Sequence, residues 1–219
     1  MGRVLVSPGP TVIGERDGEP VWSCIDRLPL PGRQLVLTAD GIVGDHQHDR
    51  RPHNGGTMHG GPDKALLAMP AFDRRAWKKW LGDQLTGRHF GENLQLGDPD
   101  DPTFNVATIR IGDQFVWGSL SPDRTSMAVV LKVTKPRTPC TTLAAYLGVP
   151  DLLDLAYGVL GPPGFYMSVA GVLEPGSNRL SELPSEGVRV STSWPMNFYQ
   201  CGSGPTVQAV FGMRPLVPA

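Results

Sequence analysis

The sequence has 219 residues, which is enough for one sizeable domain with its own hydrophobic core. Its 20 basic and 21 acidic residues give a net charge of −1, which argues against a nucleic-acid binder that relies on bulk positive charge. The 27 glycines and 22 prolines are scattered rather than repeated, which indicates short strands joined by tight turns and excludes an all-helical bundle.

The first third of the chain predicts strands followed by a long loop. Short apolar and β-branched stretches at 3–6, 20–25 and 34–38 are bounded by proline, glycine and aspartate, as strands are. Residues 40–63 contain four of the five histidines and six glycines, with no periodicity that a core could use. A loop this long in a compact domain usually carries function.

An amphipathic helix is predicted next, within residues 65–85. Pro70 is expected to start its main part rather than to interrupt it. Its apolar residues at helical spacing are Phe72, Ala76, Trp77, Trp80 and Leu81. The later predictions are strands at 104–111, 114–117, 127–134 and 165–174, short helices between 141 and 161, and short strands around Val188, Val190, Val207 and Val210.

The cysteines and the missing apolar runs predict where the protein works. Cys24, Cys140 and Cys201 are an odd number without a CxxC pair, which favours a reducing compartment over a disulfide framework. No apolar run has the length of a signal peptide core or of a membrane span. We therefore expect a cytoplasmic single domain over residues 1–219 that binds neither membrane nor nucleic acid.

Cys140 is the strongest candidate for chemistry. It follows Arg137, Thr138 and Pro139 at the end of a predicted strand and directly before a predicted helix. A thiol at a helix start with Lys135 and Arg137 nearby is expected to spend more of its time as thiolate, which attacks electrophiles or binds a soft metal. The competing interpretation is a small buried side chain, which we prefer for Cys24 and Cys201.

A glycine pair offers a candidate anion site. In the stretch His59-Gly60-Gly61-Pro62-Asp63-Lys64, backbone N–H groups and the Lys64 ammonium could hold one anion, although this motif alone favours a plain turn with a lysine at the start of the helix. Further on, Glu92 and Asn93 either bind a ligand or brace neighbouring loops.

A zinc site is the remaining alternative. His46 and His48 would share one face of an extended segment, which gives two of the ligands that zinc needs. Asp45 and Asp49 are available as further ligands.

Taken in order, these stretches resemble the MOSC family, the domain found at the end of molybdenum-cofactor sulfurases, and its YiiM-like bacterial branch in particular. The resemblance covers roughly residues 40–175, and the tail at 185–219 diverges from it. The matching stretches are Gly44-Asp45-His46-Gln47, His59 to Ala65, Trp80, Phe90-Gly91-Glu92-Asn93-Leu94, Ile111-Gly112-Asp113, Pro136-Arg137-Thr138-Pro139-Cys140 and Gly164-Phe165-Tyr166.

The resemblance implies a mainly β fold: a closed barrel similar to the barrel domain of pyruvate kinase, with a few peripheral helices. It also implies a molybdenum-cofactor site in which Cys140 is the functional thiol and the molybdenum ligand. His59, Gly60, Gly61, Lys64, Asn93 and Arg137 are the residues expected to bind the cofactor. The similar stretch His53-Asn54-Gly55-Gly56 leaves open which copy forms the anion cradle.

Two functions fit these expectations. The first is an oxidoreductase that reduces N-hydroxylated or other N–O small molecules with electrons from a separate reductase partner. The second is a non-enzymatic carrier that holds a persulfide on Cys140 or delivers the cofactor to a partner. Pyridoxal phosphate is not expected in this chain, and the apolar tail residues Trp194, Phe198 and Tyr199 would suit a homodimer contact.

Overall fold

The computed structural model describes residues 3–32, 34–46, 52–53, 56–57, 60–118, 127–175, 179–192 and 198–201, and most of its regular structure is strand. The strands, numbered in chain order, are β1 (Arg3–Val6), β2 (Thr11–Arg16), β3 (Glu19–Ser23), β4 (Leu28–Pro29), β5 (Gln34–Thr38), β6 (Gly41–Ile42), β7 (Pro52–His53), β8 (Gly56–Thr57), β9 (Leu66–Pro70), β10 (Leu94–Leu96), β11 (Gln114–Trp117), β12 (Ala128–Pro136), β13 (Phe165–Leu173), β14 (Leu180–Ser181), β15 (Val188–Ser191) and β16 (Phe198–Cys201). The helices are α1 (Ala71–Leu81), α2 (Thr141–Leu147) and α3 (Leu152–Leu155), and Ala156–Leu160 continues α3 as a π-helical turn.

One large mixed sheet forms the body of the fold. Its strands run in the order β16-β11-β12-β13-β9-β10-β1-β4, and β14 pairs with the end of β13. β9 and β10 lie parallel because α1 carries the chain back across the sheet between them, as parallel neighbours require. A second, smaller sheet has the order β15-β5-β6, and β2 and β3 form a separate hairpin.

The mainly β class with a few helices is confirmed, but no closed barrel is found in the part of the chain that the structure describes. The large sheet ends at β16 on one side and at β4 on the other, and these edge strands do not pair with each other. A second layer encloses the core instead. Leu37 of β5 and Val190 of β15 join the apolar cluster that includes Leu131 of β12 and Leu94 of β10. The core is therefore covered by two open sheets.

A second core lies on the other side of β9, because alternate side chains of a strand point to opposite faces. Leu66 and Ala68 belong to the core between the sheets. Met69 belongs to a second cluster, here called the helical core, which includes Trp77 of α1 and Leu143 of α2. In the helical core Trp77 of α1 packs against Phe90, with ring centroids 5.2 Å apart. The large sheet is thus packed against apolar side chains on both faces.

Two predicted elements are wrong. Residues 104–111 do not form a strand, because the Asn105 side chain accepts a hydrogen bond from the Ala107 N–H and caps a 3₁₀ turn at Val106–Thr108. The first part of the predicted helix at 65–85 is strand β9, whose five residues are all buried. A continuous apolar run is typical of a strand covered on both faces.

Among the described residues, no single helix is long and apolar enough to cross a membrane. The bent pair Thr141–Leu147 and Leu152–Leu160, which turns through 100°, meets the length and composition criterion only when both parts are taken together.

The tail contributes strands to both sheets. β15 confirms the strand predicted around Val188 and Val190, and β16 pairs with β11 at the edge of the large sheet. The strands predicted around Val207 and Val210 lie outside the described residues. So do Trp194 and the side chains of β16, so the homodimer contact stays a prediction.

Candidate functional site

Cys140 lies where strand becomes helix. β12 ends at Pro136, and Cys140 itself is extended, with φ −122° and ψ 165°, directly before α2. Its Sγ accepts a hydrogen bond from the Leu143 N–H at 3.4 Å, and the residue is exposed. The sulfur is therefore oriented by the first turn of α2 while staying accessible from outside.

Arg137 is almost entirely buried, and its side chain is held by backbone carbonyls. Its Nε donates to the Phe90 oxygen at 3.1 Å, and its Nη1 donates to the Thr138 oxygen at 3.0 Å. Its own N–H donates to the Gly164 oxygen, which ties the segment before Cys140 to the start of β13. Two bonds leave further guanidinium N–H groups for a ligand, since arginine carries five.

The glycine pair has the backbone that a tight approach requires. Gly60 and Gly61 have φ values of 70° and 81°, a region that side chains with a Cβ rarely adopt. A 3₁₀ turn at Pro62–Lys64 follows them. Lys64 Nζ lies 5.7 Å from the centre of the Tyr166 ring, and partial burial together with nearby Lys135 lowers the pKa of Lys64.

Asn93 is buried and uses its amide within the protein. Its Nδ2 donates to Asp45 Oδ2 at 2.8 Å and to the Leu5 oxygen at 3.4 Å, and its Oδ1 accepts from the Leu67 N–H at 3.1 Å. These bonds link β1 to β9. Asn93 thus forms part of the wall of the site, and its Nδ2 donors are committed to Leu5 of β1 and to the Asp45 carboxylate.

Glu92 braces the helical core. It accepts hydrogen bonds from the Phe90 N–H at 2.8 Å, from Gln95 Nε2 at 2.8 Å and from Arg74 Nε at 3.0 Å. Burial by itself raises the pKa of Glu92, but neighbouring His89 and Arg74 outweigh it and hold the pKa at about 2. Glu92 therefore stays ionised and ties α1 to β10, which favours the bracing alternative over ligand binding.

One cleft brings most of the predicted site residues together, and its volume is about 590 Å³ when the open solvent at its mouth is included. Three cations and no carboxylate are among the described residues that line it, so its chemistry suits an anion beside a thiol. Gly61 does not line it, and His59 lies outside the described residues. The lining residues are Ser23, Cys24, Ile25, Arg27, Gly60, Lys64, Leu67, Gly91, Asn93, Arg137, Cys140, Thr142 and Tyr166.

The segment from Ser23 to Arg27 was missed by sequence reasoning, although it forms one wall of the cleft. Cys24 is buried, as expected, yet it lines the same cleft as Cys140. Arg27 is buried and pairs with Asp45, with Nη1 and Oδ1 2.5 Å apart. The only signal in the sequence is a basic residue just after the apolar stretch at 20–25, which is too common to single out.

The zinc alternative gains no support from the described residues. They contain no group of three or more histidine, cysteine, aspartate or glutamate side chains that could hold a metal ion. His46 is exposed, its N–H donates to the Ser7 oxygen, and the Asp45 carboxylate is occupied by Arg27 and Asn93. His48, Asp49 and the stretch Asn54-Gly55 lie outside the described residues.

Comparison with known proteins gives one family match and several relatives. The MOSC domain family model matches residues 55–190. The chain is 29% identical to protein YflK of Bacillus subtilis over 199 aligned residues. The alignment covers 90% of this chain and 80% of YflK. It is 28% identical to protein YiiM of Escherichia coli over 156 aligned residues. That alignment covers 70% of this chain and 59% of YiiM.

A solved structure of a hypothetical protein shares the fold. It has a TM-score of 0.51 and 23% identity, and the match covers 87% of this chain and 64% of that one. At this level of identity the likeness concerns the fold alone.

Proposed function

Since this chain belongs to the MOSC domain family, we propose that it binds molybdenum cofactor in the cleft and reduces N–O bonds of small molecules there, with Cys140 as the molybdenum ligand. Members of this family are associated with molybdenum cofactor, and the similarity to YiiM indicates that the chain is a YiiM-like member. The observation that carries the finer proposal is the meeting of Cys140, Lys64 and Arg137 in one cleft.

The residues of the cleft fit this group. Molybdopterin has a terminal phosphate and a dithiolene-bound metal, so it needs cationic or N–H donors at one place and a soft ligand at another. Lys64 and Arg137 supply positive charge, and Cys140 supplies an accessible sulfur. Gly60 lines the cleft and has no Cβ, so its backbone can approach a ligand closely.

Each side chain has a separate task in this proposal. Cys140 binds the metal through Sγ, and the Leu143 N–H orients that sulfur. Arg137, fixed by two carbonyls, holds the anionic part of the cofactor with its remaining N–H groups, and Lys64 adds a point charge. The bound cofactor supplies two-electron oxygen-atom transfer, and a separate reductase supplies the electrons.

The first experiment measures molybdenum and pterin in protein purified from a host that overproduces the cofactor. We expect near-stoichiometric molybdenum in the wild type and its loss in Cys140→Ala, because the variant lacks the soft ligand. Cys201→Ala is the matched control, since Cys201 lies on edge strand β16, and it should keep the metal. Equal molybdenum in wild type and Cys140→Ala would remove Cys140 as the ligand.

The reaction itself is tested on the loaded protein. With a chemical electron donor, the wild type should turn over a hydroxylamine or an N-oxide, and Cys140→Ala should not. If loaded wild-type protein converts no compound of either class, the reductase proposal is abandoned.

Sulfur carriage is the second candidate, and the exposure of Cys140 favours it. The Cys140 thiolate would attack the terminal sulfur of a donor persulfide. A new S–S bond forms on Cys140, the S–S bond of the donor breaks, and the donor leaves as thiolate without net oxidation. After incubation with a cysteine desulfurase and cysteine, mass spectrometry should find one added sulfur atom on Cys140. An unmodified, accessible thiol would exclude this role.

A further inference from the structure

Arg27 is buried in the wall of the cleft with one donor unused. Its side chain is 7% exposed, and its Nη1 pairs with Asp45 Oδ1 at 2.5 Å. Its Nε–H is buried and has no hydrogen-bond partner among the described residues. Buried guanidinium donors are normally satisfied, so an unused one beside a cleft marks a place for an acceptor from a ligand.

The guanidinium is mounted rigidly. Asp45 accepts from the Ser7 N–H at 2.7 Å, from Arg27, and from Asn93 Nδ2 at 2.8 Å. Asn93 is in turn fixed to β9 through the Leu67 N–H. The carboxylate therefore holds Arg27 in one orientation before any ligand arrives, which lowers the entropic cost of binding.

The charge of the cleft defines the class of ligand. Arg27, Lys64 and Arg137 all line it, and the described lining residues include no carboxylate. A planar guanidinium that is already fixed on one side donates from its other N–H groups to a tetrahedral oxyanion.

We propose that Arg27, held in place by Asp45, binds a phosphate-type oxyanion at the wall of the cleft formed by residues 23–27. This subsite deepens the proposed function and rests on it when the oxyanion is the phosphate of the cofactor. The same chemistry would also accept free phosphate or an anionic substrate.

The test uses the arginine Nε–H resonances of the wild-type protein, observed by NMR. In cofactor-free protein, inorganic phosphate should shift the Arg27 resonance saturably, and chloride at equal ionic strength should not. Arg27→Lys, which keeps a cation beside Asp45, identifies the resonance by its disappearance. A resonance that phosphate leaves unmoved in cofactor-free protein, and that is unchanged by cofactor loading, would overturn the proposal.

Binding measurements on variants give a second readout. Arg27→Lys should weaken phosphate binding about tenfold in calorimetry, because lysine lacks the fork of donors. Arg75→Lys is the control, since Arg75 is exposed on α1 and does not line the cleft, and it should leave affinity unchanged. Equal affinities in all three proteins would count against the subsite.

Loaded protein distinguishes the source of the oxyanion. If the oxyanion belongs to the cofactor, the Arg27 resonance is already shifted in loaded protein and no longer responds to phosphate. If it still responds, the subsite serves a free anion. An Arg27 resonance that neither phosphate nor cofactor loading shifts, in protein that retains molybdenum, overturns the subsite alone. Phosphate binding in protein that never retains molybdenum overturns the proposed function alone.

Discussion

At the scale of single residues, Asp73 is a carboxyl group in an apolar setting. It is 6% exposed on α1, and its Oδ2 accepts a hydrogen bond from the Val106 N–H at 2.8 Å. Burial raises the pKa of Asp73 from 3.8 to about 6, and the Val106 bond offsets only part of that rise. The folded state therefore binds this proton more tightly than the unfolded state does.

Because the folded pKa is raised, the contribution of Asp73 is fully present below pH 3.8 and is lost as the pH rises through about 6. We expect Asp73→Asn, which can still accept from Val106, to raise the free energy of unfolding at pH 7.5 by about 2 kcal/mol. At pH 3.5 the difference should vanish. Urea unfolding at both pH values measures this, and a gain of equal size at both would refute the explanation.

The sequence predicts those residues of the candidate site whose immediate neighbours in the chain already point to chemistry. Cys140 follows two prolines and an arginine before a helix, and Lys64 follows a glycine pair, so both could be named from spacing. Arg27 could not, because its role depends on Asp45 and Asn93, which only the folded chain brings to it. The sequence predicts the chemistry of a segment better than the contacts between segments.

At the scale of elements, the strand–helix patterns failed where both faces of an element are buried. The sequence predicts a helix at β9 because the side chains on both faces of this segment are apolar, whereas the structure has a strand that is buried on both faces. In α1 the buried side chains are Asp73, Trp77 and Leu81, whereas Trp80, predicted on the apolar face, is 58% exposed. Hydrophobic periodicity predicts the helix correctly. Which face of the helix is buried depends on its contact with Phe90 and with the sheet, which the sequence pattern does not contain.

The close approach of β13 to β9 gives a test at this scale. A Cβ on Gly164, which has φ +99°, would lie 2.3 Å from the Ala68 oxygen in the middle of β9. We expect Gly164→Ala to lower the free energy of unfolding by more than about 3 kcal/mol, since backbone on both sides resists movement. Urea unfolding, or the yield of folded protein, reports the loss.

Gly148 is the matched control for that variant. It also has a positive φ, +70°, but a Cβ there would meet no atom within 4 Å. Gly148→Ala should therefore cost only about 1 kcal/mol, the strain of the left-handed conformation itself. If the two variants lose the same stability, backbone strain rather than the clash with β9 explains both.

At the scale of the whole molecule, two cores share one sheet. Side chains of β9 enter both, so neither core can open without disturbing the strand between them. We expect urea unfolding followed by far-UV circular dichroism and by tryptophan fluorescence to give one coincident transition. Leu131→Ala in the core between the sheets should shift both signals equally, by about 2–5 kcal/mol. Two separate transitions would show that residues 1–219 are not one cooperative domain.

The order of synthesis limits how this fold can form. Leu37 of β5 pairs with Val188 of β15, and Arg3 of β1 pairs with Gln95 of β10. At the usual pace of a ribosome, roughly 5–20 residues per second, β5 waits roughly 8–30 s for β15, whereas its other neighbour β6 follows almost at once. During that interval the edge of β5 that pairs with β15 has no strand beside it, although Leu35 and Leu37 can already contact core residues of strands translated before β15, such as Leu94. The smaller sheet is therefore completed only after Ser191 has been translated, and until then the open edge of β5 is a place where aggregation can start.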